Sequence, residues 1–187
     1  GLARDVLTAF GGPIAAPSAN PSGRISPTTA EHVLAGLDGR IDAVLDGGAR
    51  PVGVESTIVS CVGAPALLRA GGVPVEALSA CLGQPICQPD DPATPGQLTS
   101  HYAPQGAVRL NATDARADEV LLGFGAVDAP VNLSPSGDLI EAAARLFACL
   151  HQLDAMGADK IAVSPIPQTG LGAAINDRLK RAAAPRG

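Results

Sequence analysis

The sequence predicts an α/β fold built from short strands and helices that alternate along the chain. Hydrophobic residues make up 46% of the 187 residues and the mean hydropathy is +0.22, so a packed core can form. The chain contains 22 glycines and 17 prolines, which predict many tight turns between short elements. Short runs rich in β-branched residues alternate with segments of helical apolar period, a pattern typical of layered α/β proteins.

The first 83 residues are predicted to hold three helices and four strands. In chain order these are a helix over 1–10, a buried strand over 14–16, a helix starting near 27, strands over 43–45, 56–62 and 66–69, and a short helix over 74–82. Ser26 is the expected cap of the second helix, with Pro27 in its first position. The chain opens on a helix, without an initiator methionine or an opening strand, so we expect it to begin part-way through a fold.

A change in composition at Gln84 predicts an interdomain linker. Residues 84–105 are dominated by proline and polar side chains, which favour a semi-rigid segment, and they include Tyr102, the only tyrosine of the chain. A second α/β unit follows, with predicted strands over 120–124 and 160–163 and predicted helices over 139–153 and 171–179. The predicted organisation is therefore a domain over 1–83, a linker over 84–105 and a domain over 106–187.

Charge and composition exclude several classes of protein. The chain has 13 basic and 18 acidic residues, a net charge of −5, and this balance disfavours a nucleic-acid module with a broad basic surface. Aromatic residues make up only 2% and tryptophan is absent, so base-stacking platforms are not expected. No apolar run approaches the roughly 20 residues of a membrane span. The four cysteines form no CxxC pair, so we expect reduced thiols, no zinc site and a cytoplasmic location.

Small polar residues beside glycines are the candidate functional groups. Ser18 and Asn20 follow a predicted strand, where α/β folds commonly contact ligands. Ser26 lies at a predicted helix start, where backbone N–H groups favour an anion. Arg69 ends a strand, and its guanidinium can bind phosphate oxygens in a forked geometry. Ser18, Ser26 and Arg69 thus predict a phosphate cradle. The alternative, ordinary turn caps plus a surface arginine, is left open by these residues alone.

Several ordered motifs together resemble one enzyme family. They are PIAAPSANPSG at 13–23, SPT at 26–28, GVESTIVS at 53–60, LRAGG at 68–72, PGQLTSHYAP at 95–104, GLG at 170–172 and AINDRL at 174–179. The chain is identified on these motifs as similar to L-threonylcarbamoyladenylate synthases of the two-domain type. The resemblance implies a partial YrdC-like twisted-sheet domain, then a linker, then a small Rossmann-like domain of the Sua type.

The resemblance also implies a reaction. Family members convert L-threonine, bicarbonate and ATP into threonylcarbamoyl-AMP and pyrophosphate, for the threonylcarbamoyladenosine modification of tRNA. ATP is then a substrate, and Mg²⁺ is expected to be held mainly by the nucleotide. Expected partners are the small-molecule substrates and proteins of the tRNA threonylcarbamoyl transfer machinery, whereas direct tRNA binding and membrane association are not expected.

Matching positions carry the family's ligand contacts onto this sequence. The residues assigned to ATP are Ser18, Asn20, Ser26, Arg69 and Tyr102, and the residue assigned to threonine is Ser56. No catalytic residue and no metal ligand is assigned. Tyr102 is either part of a lid over the nucleotide or a pin that docks the linker, and one side chain can do both. Glu55 is expected to be structural rather than a general base.

One departure from the family pattern bears on activity. The N-terminal half of the YrdC-like domain, with its Lys-x-Arg phosphate motif, has no counterpart in this sequence. We therefore expect the chain alone to be inactive or nearly so. Two alternatives are a non-catalytic RNA-binding or translation-associated module, which salt-dependent retention on tRNA would favour, and an inert paralogue, which ATP would not protect against thermal unfolding.

Overall fold

The computed structural model describes residues 1–87 and 101–185. Within these ranges the helices are α1 (Leu2–Phe10), α2 (Ala30–Leu37), α3 (Val75–Leu82), α4 (Leu139–Ala155) and α5 (Leu171–Ala183). The strands are β1 (Ile58–Ser60), β2 (Ala66–Arg69), β3 (Ala107–Arg109), β4 (Val120–Gly123), β5 (Val131–Asn132) and β6 (Lys160–Val163). None of the described helices is both long and apolar enough to cross a membrane.

The C-terminal part is a parallel sheet covered by two long helices. Its four strands run in the order β3-β6-β4-β5, and every neighbouring pair is parallel. Helix α4 is capped by Asp138, whose side chain accepts a hydrogen bond from the Ile140 amide. Its inner face buries Leu146, Phe147 and Leu150, which pack with sheet residues in one core. The predicted α/β class is confirmed.

The N-terminal part contains one small antiparallel sheet. Strands β1 and β2 pair with a register shift between Ile58 and Val59. The predicted helices over 1–10 and 74–82 and the predicted strands over 56–62 and 66–69 are confirmed, with shorter bounds in β1. In this part large apolar side chains remain exposed, among them Phe10 at 65% and Val62 at 92%.

Two predicted strands are wrong. Residues 14–16 and 43–45 have no strand conformation, and only Val44 among them is even half-buried. A strand is stable only where a neighbouring backbone accepts and donates hydrogen bonds. No neighbouring strand lies beside either segment in the part of the chain that the structure describes. The two segments are apolar, as a buried strand would be, but their composition does not show whether a neighbouring strand is available to pair with them.

The predicted helix cap at Ser26 is also wrong. Helix α2 begins at Ala30, and its cap is Thr29, whose hydroxyl accepts a hydrogen bond from the His32 amide at 3.3 Å. Ser26 instead donates its hydroxyl proton to Glu55, at 2.9 Å. The helix-dipole argument for an anion at Ser26 therefore does not apply, because the dipole acts only within the first turn.

Residues near the end of the predicted linker connect both parts of the molecule. The Ala103 amide donates to the Gly23 carbonyl at 3.1 Å, and the His101 amide donates to the Arg181 carbonyl of α5 at 3.2 Å. At the other end of the linker, Cys87 pairs with the backbone of β2. The intervening part of the predicted linker, including motif residues 95–100, lies outside the described residues.

Gly53 marks a close approach between the two parts. Its φ is +72°, and a Cβ built on it would lie 2.1 Å from the Ala143 carbonyl oxygen of α4. Glycine is therefore required at position 53 for two reasons: it adopts a positive φ without strain, and it has no Cβ to collide with α4. This contact brings the loop before β1 directly against the backbone of α4.

Two histidines form a second contact between the parts. The rings of His32 in α2 and His151 in α4 stack with centroids 3.9 Å apart. Burial lowers the pKa of His32, and the neighbouring His151 lowers it further, while Glu31 opposes the shift. Burial also lowers the pKa of His151, whereas its hydrogen bond to the Ser26 carbonyl and the charge of Asp154 act to raise that pKa. The neutral form of the pair is therefore the one that the fold stabilises.

This pair makes stability depend on pH in a defined direction. The unfolded pKa of histidine is about 6.5, and both folded values lie below it, so the unfolded chain binds more protons in that window. We expect the free energy of unfolding to be constant above about pH 7 and to fall as the pH drops below 6.5. Urea unfolding at several pH values measures this. The variant His32→Gln/His151→Gln is expected to show a smaller fall, and an unchanged pH dependence would contradict the assignment.

Candidate active site

A cavity of about 530 Å³ lies between the loops of the N-terminal part and α4. Ser18 and Ser26 both line it, together with Glu55 and with Phe147 from α4. Most other lining residues belong to the loop over 44–54. Two of the three residues of the predicted phosphate cradle, Ser18 and Ser26, thus line one cavity, whereas the third, Arg69, does not.

Glu55 links this cavity to the C-terminal part. Its Oε1 accepts the Ser26 hydroxyl at 2.9 Å, and its Oε2 accepts Nε of Arg178 at 2.9 Å. Arg178 is 0% exposed, and its Nη1 donates to the Ala70 carbonyl at 2.6 Å and to Asp177 at 2.9 Å. A buried guanidinium needs such partners to offset the loss of its hydration. Its Nη2 has no hydrogen-bond partner among the described residues.

Ser56 and Arg69 form a second polar pair, beside Glu55 along the chain. Nε of Arg69 donates to the Ser56 carbonyl at 3.0 Å, and its Nη2 donates to the Ser56 hydroxyl oxygen at 2.9 Å. The hydroxyl therefore accepts from Arg69 and keeps its own proton. This pair offers donors to an oxyanion, but neither residue lines the described cavity.

Asn20 supports its own loop. Its Nδ2 donates to the carbonyls of Pro21 and Arg24, both at 3.1 Å, so both amide protons are used. Its Oδ1 is buried and has no partner among the described residues. The free group of Asn20 is consequently an acceptor, which suits a donor on a ligand rather than a phosphate oxygen.

Tyr102 is buried between the two parts of the chain. It is 2% exposed, lies 5.4 Å from the ring of Phe147 and has the Arg178 guanidinium 5.5 Å from its ring centroid. Burial raises the pKa of its hydroxyl, and the charge of Glu55 raises it further. The same burial lowers the pKa of His101, whose ring meets Tyr102 edge-on at 4.1 Å. Through these contacts Tyr102 packs the end of the linker against helices α4 and α5.

The structure brings some predicted site residues together and leaves others apart. Ser18 and Ser26 share the cavity, whereas Asn20, Ser56, Arg69 and Tyr102 are not among the described residues that line it. Tyr102 is nevertheless connected to Glu55 through Arg178, whose guanidinium lies 5.5 Å from the Tyr102 ring centroid and donates a hydrogen bond to Glu55. The ligand assigned to each of the six residues stays a prediction.

Sequence reasoning missed Arg178. The signal was present, because Arg178 lies at helical spacing from Ile175 and Ala182, which α5 buries on its inner face. A charged residue on the apolar face of a helix needs a buried partner. That partner, Glu55, is separated from it by 123 residues, so helical spacing alone could not identify it.

Comparison with known proteins identifies the family. Residues 73–184 match the family described as threonylcarbamoyl-AMP synthase, C-terminal domain. The chain belongs to this family. Residues 1–71 also match the Sua5/YciO/YrdC family, described as telomere recombination. The resemblance predicted from the motifs is confirmed.

Curated relatives agree with this assignment. Threonylcarbamoyl-AMP synthase of Bacillus subtilis is 37% identical over 215 residues, covering 99% of this chain and 61% of the relative. The Pyrococcus abyssi enzyme is 35% identical over 91% of this chain and 57% of its own length. The Schizosaccharomyces pombe enzyme is 34% identical over 91% of this chain and 52% of its own length. The chain thus spans somewhat more than half of each of these threonylcarbamoyl-AMP synthases.

Solved structures show the same fold. The crystal structure of Pyrococcus abyssi Sua5 complexed with L-threonine matches with a TM-score of 0.84 and 32% identity, over 97% of this chain and 61% of that chain. A double variant of the same protein matches with a TM-score of 0.82 and 30% identity, over 97% and 60%. This member of the threonylcarbamoyl-AMP synthase family therefore shares its fold with the Pyrococcus abyssi protein.

Proposed function

We propose that the chain takes part in the ATP-dependent synthesis of threonylcarbamoyl-AMP from L-threonine and bicarbonate, with release of pyrophosphate. Family membership supports the proposal, as does a structural relative solved with L-threonine. The product would serve the threonylcarbamoyladenosine modification of tRNA, in the cytoplasm, with protein partners of that pathway. Nothing in the described residues favours the RNA-binding alternative, and the net charge of −5 opposes it.

The chemistry asks the protein mainly to position anions. The amine of threonine forms a bond to the carbon derived from bicarbonate and gives a carbamate, with loss of water. A carbamate oxygen then attacks the α-phosphorus of ATP, and the bond to pyrophosphate breaks, with its electron pair leaving on pyrophosphate. Such reactions depend on orientation and on donors that neutralise developing charge.

The pairing of Ser56 with Arg69 is the observation that carries this proposal. Arg69 uses Nε and Nη2 on Ser56, and its Nη1 makes no hydrogen bond to the described residues. Ser56 receives one of these bonds on its hydroxyl oxygen and so has a proton to donate. The pair therefore presents adjacent donors suited to the carboxylate or phosphate oxygens of the substrates. We keep ATP as the ligand of Arg69 and threonine as the ligand of Ser56.

The remaining predicted contacts stand as parts of the same proposal. Ser18 and Tyr102 are proposed to contact ATP, with Tyr102 also holding the linker, and Asn20 is proposed to act through its free acceptor. The boundaries at residues 83 and 105 are proposed to separate the partial YrdC-like domain, the linker and the accessory domain. Ser26, which lines the same cavity as Ser18, is likewise proposed to contact ATP.

Mg²⁺ is proposed to enter with the nucleotide. The carboxylates that line the cavity already accept hydrogen bonds, Asp46 from the Gly48 amide and Glu55 from Ser26 and Arg178. Among the described residues no cluster of three metal-ligating side chains is found. This donor set fits an ion that is bound through phosphate oxygens, whose chemistry is to neutralise charge on the triphosphate.

ATP binding to the 187-residue chain tests the proposal. We expect Arg69→Met to weaken ATP binding about tenfold, because a charge-assisted hydrogen bond is worth about 1.5–3 kcal/mol. Isothermal titration calorimetry measures the affinity, and Arg40→Met, which changes an exposed arginine outside the cavity, is the matched control. Equal affinities in the two variants would contradict the role of Arg69. In parallel, robust pyrophosphate release by the chain with all substrates would contradict the expectation that it is inactive alone.

A further inference from the structure

We propose that Arg178 is a positioning residue for substrate binding: from helix α5 it holds together the two backbone segments that carry Ser56 and Arg69. The inference rests on the proposed function, in which this pair contacts the substrates, and it leaves the ligand of each residue unchanged. It is carried by two hydrogen bonds of one guanidinium, to the Glu55 carboxylate and to the Ala70 carbonyl. Glu55 immediately precedes Ser56 along the chain, and Ala70 immediately follows Arg69.

The pair formed by Ser56 and Arg69 lies where its own hydrogen bonds hold it only weakly. Ser56 is exposed, Arg69 is half-buried, and both bonds between them are open to water. Water competes for such bonds, and a long arginine side chain loses conformational freedom when it is fixed. A single geometry of this pair therefore requires other contacts that hold its two backbone segments in place.

The two segments, residues 55–57 and residues 69–73, lie directly against each other. The Gly72 amide donates to the Glu55 carbonyl at 2.9 Å, and a Cβ built on Gly71 would lie 2.4 Å from the same oxygen. The Thr57 hydroxyl donates to the Val73 carbonyl at 2.7 Å and accepts from the Val73 amide at 3.0 Å. Because the segments are in such close contact, a displacement of either one changes the position of the serine relative to the arginine.

Arg178 binds one group from each of these segments. Its Nε donates to Oε2 of Glu55 at 2.9 Å, and its Nη1 donates to the Ala70 carbonyl at 2.6 Å. The guanidinium is planar and rigid, so the separation of these two donors is fixed and determines the separation of their two acceptors. Arg178 is 0% exposed, so water does not compete with either bond.

The C-terminal part of the chain holds Arg178 itself. Helix α5 buries Ile175, Leu179 and Ala182 on the same inner face, which fixes the backbone that carries the guanidinium. The neighbouring Asp177 accepts a second hydrogen bond from Nη1 at 2.9 Å, and the Tyr102 ring lies 5.5 Å from the guanidinium carbon. The order of the serine–arginine pair in the N-terminal part would thus depend on the docking of α5.

The variant Arg178→Lys breaks this bridge and keeps the positive charge. A lysine ammonium is a point charge on a flexible stem, so it cannot impose a fixed separation on two acceptors. The matched control is Asn176→Ala. Asn176 is also buried in α5 and also makes three hydrogen bonds, but all three are to carbonyls of the C-terminal part, those of Ile166, Pro167 and Gly172. The control therefore lowers stability without a change in either segment.

The first measurement is the exchange with water of the Nε–H proton of Arg69, followed by NMR of the ¹⁵N-labelled 187-residue chain. Its signal is the arginine Nε–H signal that is absent from Arg69→Met. This group donates to the Ser56 carbonyl, so its exchange rate reports the order of the pair without any ligand. We expect Arg178→Lys to raise the rate about tenfold, and Asn176→Ala to raise it by less than about twofold.

The same spectra show whether each variant is folded. An unchanged rate in folded Arg178→Lys overturns the inference, and so does an equal increase in Asn176→Ala, which would mean a general loss of stability. If Arg178→Lys does not fold, Glu55→Gln decides, because it keeps the size of one acceptor and removes its charge. We expect Glu55→Gln to raise the rate about threefold. An unchanged rate in that variant also overturns the inference.

The second measurement is the affinity for ATP, by isothermal titration calorimetry. We expect Arg178→Lys to weaken ATP binding about fivefold, and to have no further effect in the Arg69→Met background, because a residue that acts through Arg69 is silent once Arg69 is absent. If the two losses multiply instead, or if Arg178→Lys binds ATP like the wild type, the inference is overturned and the proposed function stands. If the wild type does not bind ATP, the proposed function fails, and the role of Arg178 in substrate binding fails with it, even where the exchange rate changes.

Discussion

Replacing Tyr102 with alanine is expected to lower the free energy of unfolding by about 3–5 kcal/mol, the range measured when buried aromatic side chains are truncated. Tyr102 is 2% exposed and packs against the ring of Phe147. Its removal also strips one face from the buried guanidinium of Arg178. Urea unfolding followed by circular dichroism measures the loss, and a loss below about 1 kcal/mol would contradict the docking role.

Tyr102→Phe separates docking from ligand binding. Phenylalanine keeps the ring and removes the hydroxyl, so we expect a loss of stability of no more than about 1.5 kcal/mol, the usual value of one hydrogen bond. If the hydroxyl also contacts ATP, this variant binds ATP more weakly while it remains folded. Unchanged ATP binding in Tyr102→Phe would leave Tyr102 with the docking role alone.

Gly53→Ala is expected to have a comparably large effect, about 3–5 kcal/mol. The new Cβ would lie 2.1 Å from the Ala143 carbonyl oxygen and 2.5 Å from the Ala144 Cα, both of them backbone atoms that cannot turn aside. A left-handed conformation costs a non-glycine residue about 1–3 kcal/mol, and overpacking costs about 1–3 kcal/mol more. The loss of stability is again measured by urea unfolding.

Gly48→Ala is the matched control for this substitution. Gly48 also has a positive φ, +79°, but no atom lies within 4 Å of the position of its Cβ. It therefore shows the cost of the backbone conformation without the steric clash. Similar losses for Gly48→Ala and Gly53→Ala would mean that α4 does not press against the loop at Gly53.

The elements that could be predicted from the sequence are those stabilised by local interactions or marked by a strongly periodic pattern of apolar residues. Helix α4 has a capping aspartate and a continuous apolar face, and β6 is a buried apolar run between polar turns. Strands β3 and β5 were not predicted, because each has only two or three residues and depends on a neighbouring strand in the parallel sheet. The segments over 14–16 and 43–45 show the opposite error: they were predicted as strands from their apolar composition, but no neighbouring strand pairs with them among the described residues.

The same distinction applies to the candidate site. Ser18, Ser26, Ser56 and Arg69 could be identified from the motifs, because turns and strand ends are recognisable from the glycines and prolines in the local sequence. The direction of each hydrogen bond could not be predicted, since it depends on which donor or acceptor arrives from elsewhere in the fold. Ser26 donates because Glu55 is held by Arg178, and Ser56 accepts because Arg69 reaches back to it.

The wide separation of Glu55 and Arg178 has a consequence for biosynthesis. The ribosome must add 123 further residues after Glu55 before the arginine that neutralises this carboxylate exists. Until helix α5 has left the exit tunnel, Glu55, which lines the cavity in the folded protein, lacks its arginine partner. Formation of this ion pair is therefore a late step in folding, and premature termination before α5 would yield a polypeptide that cannot form it.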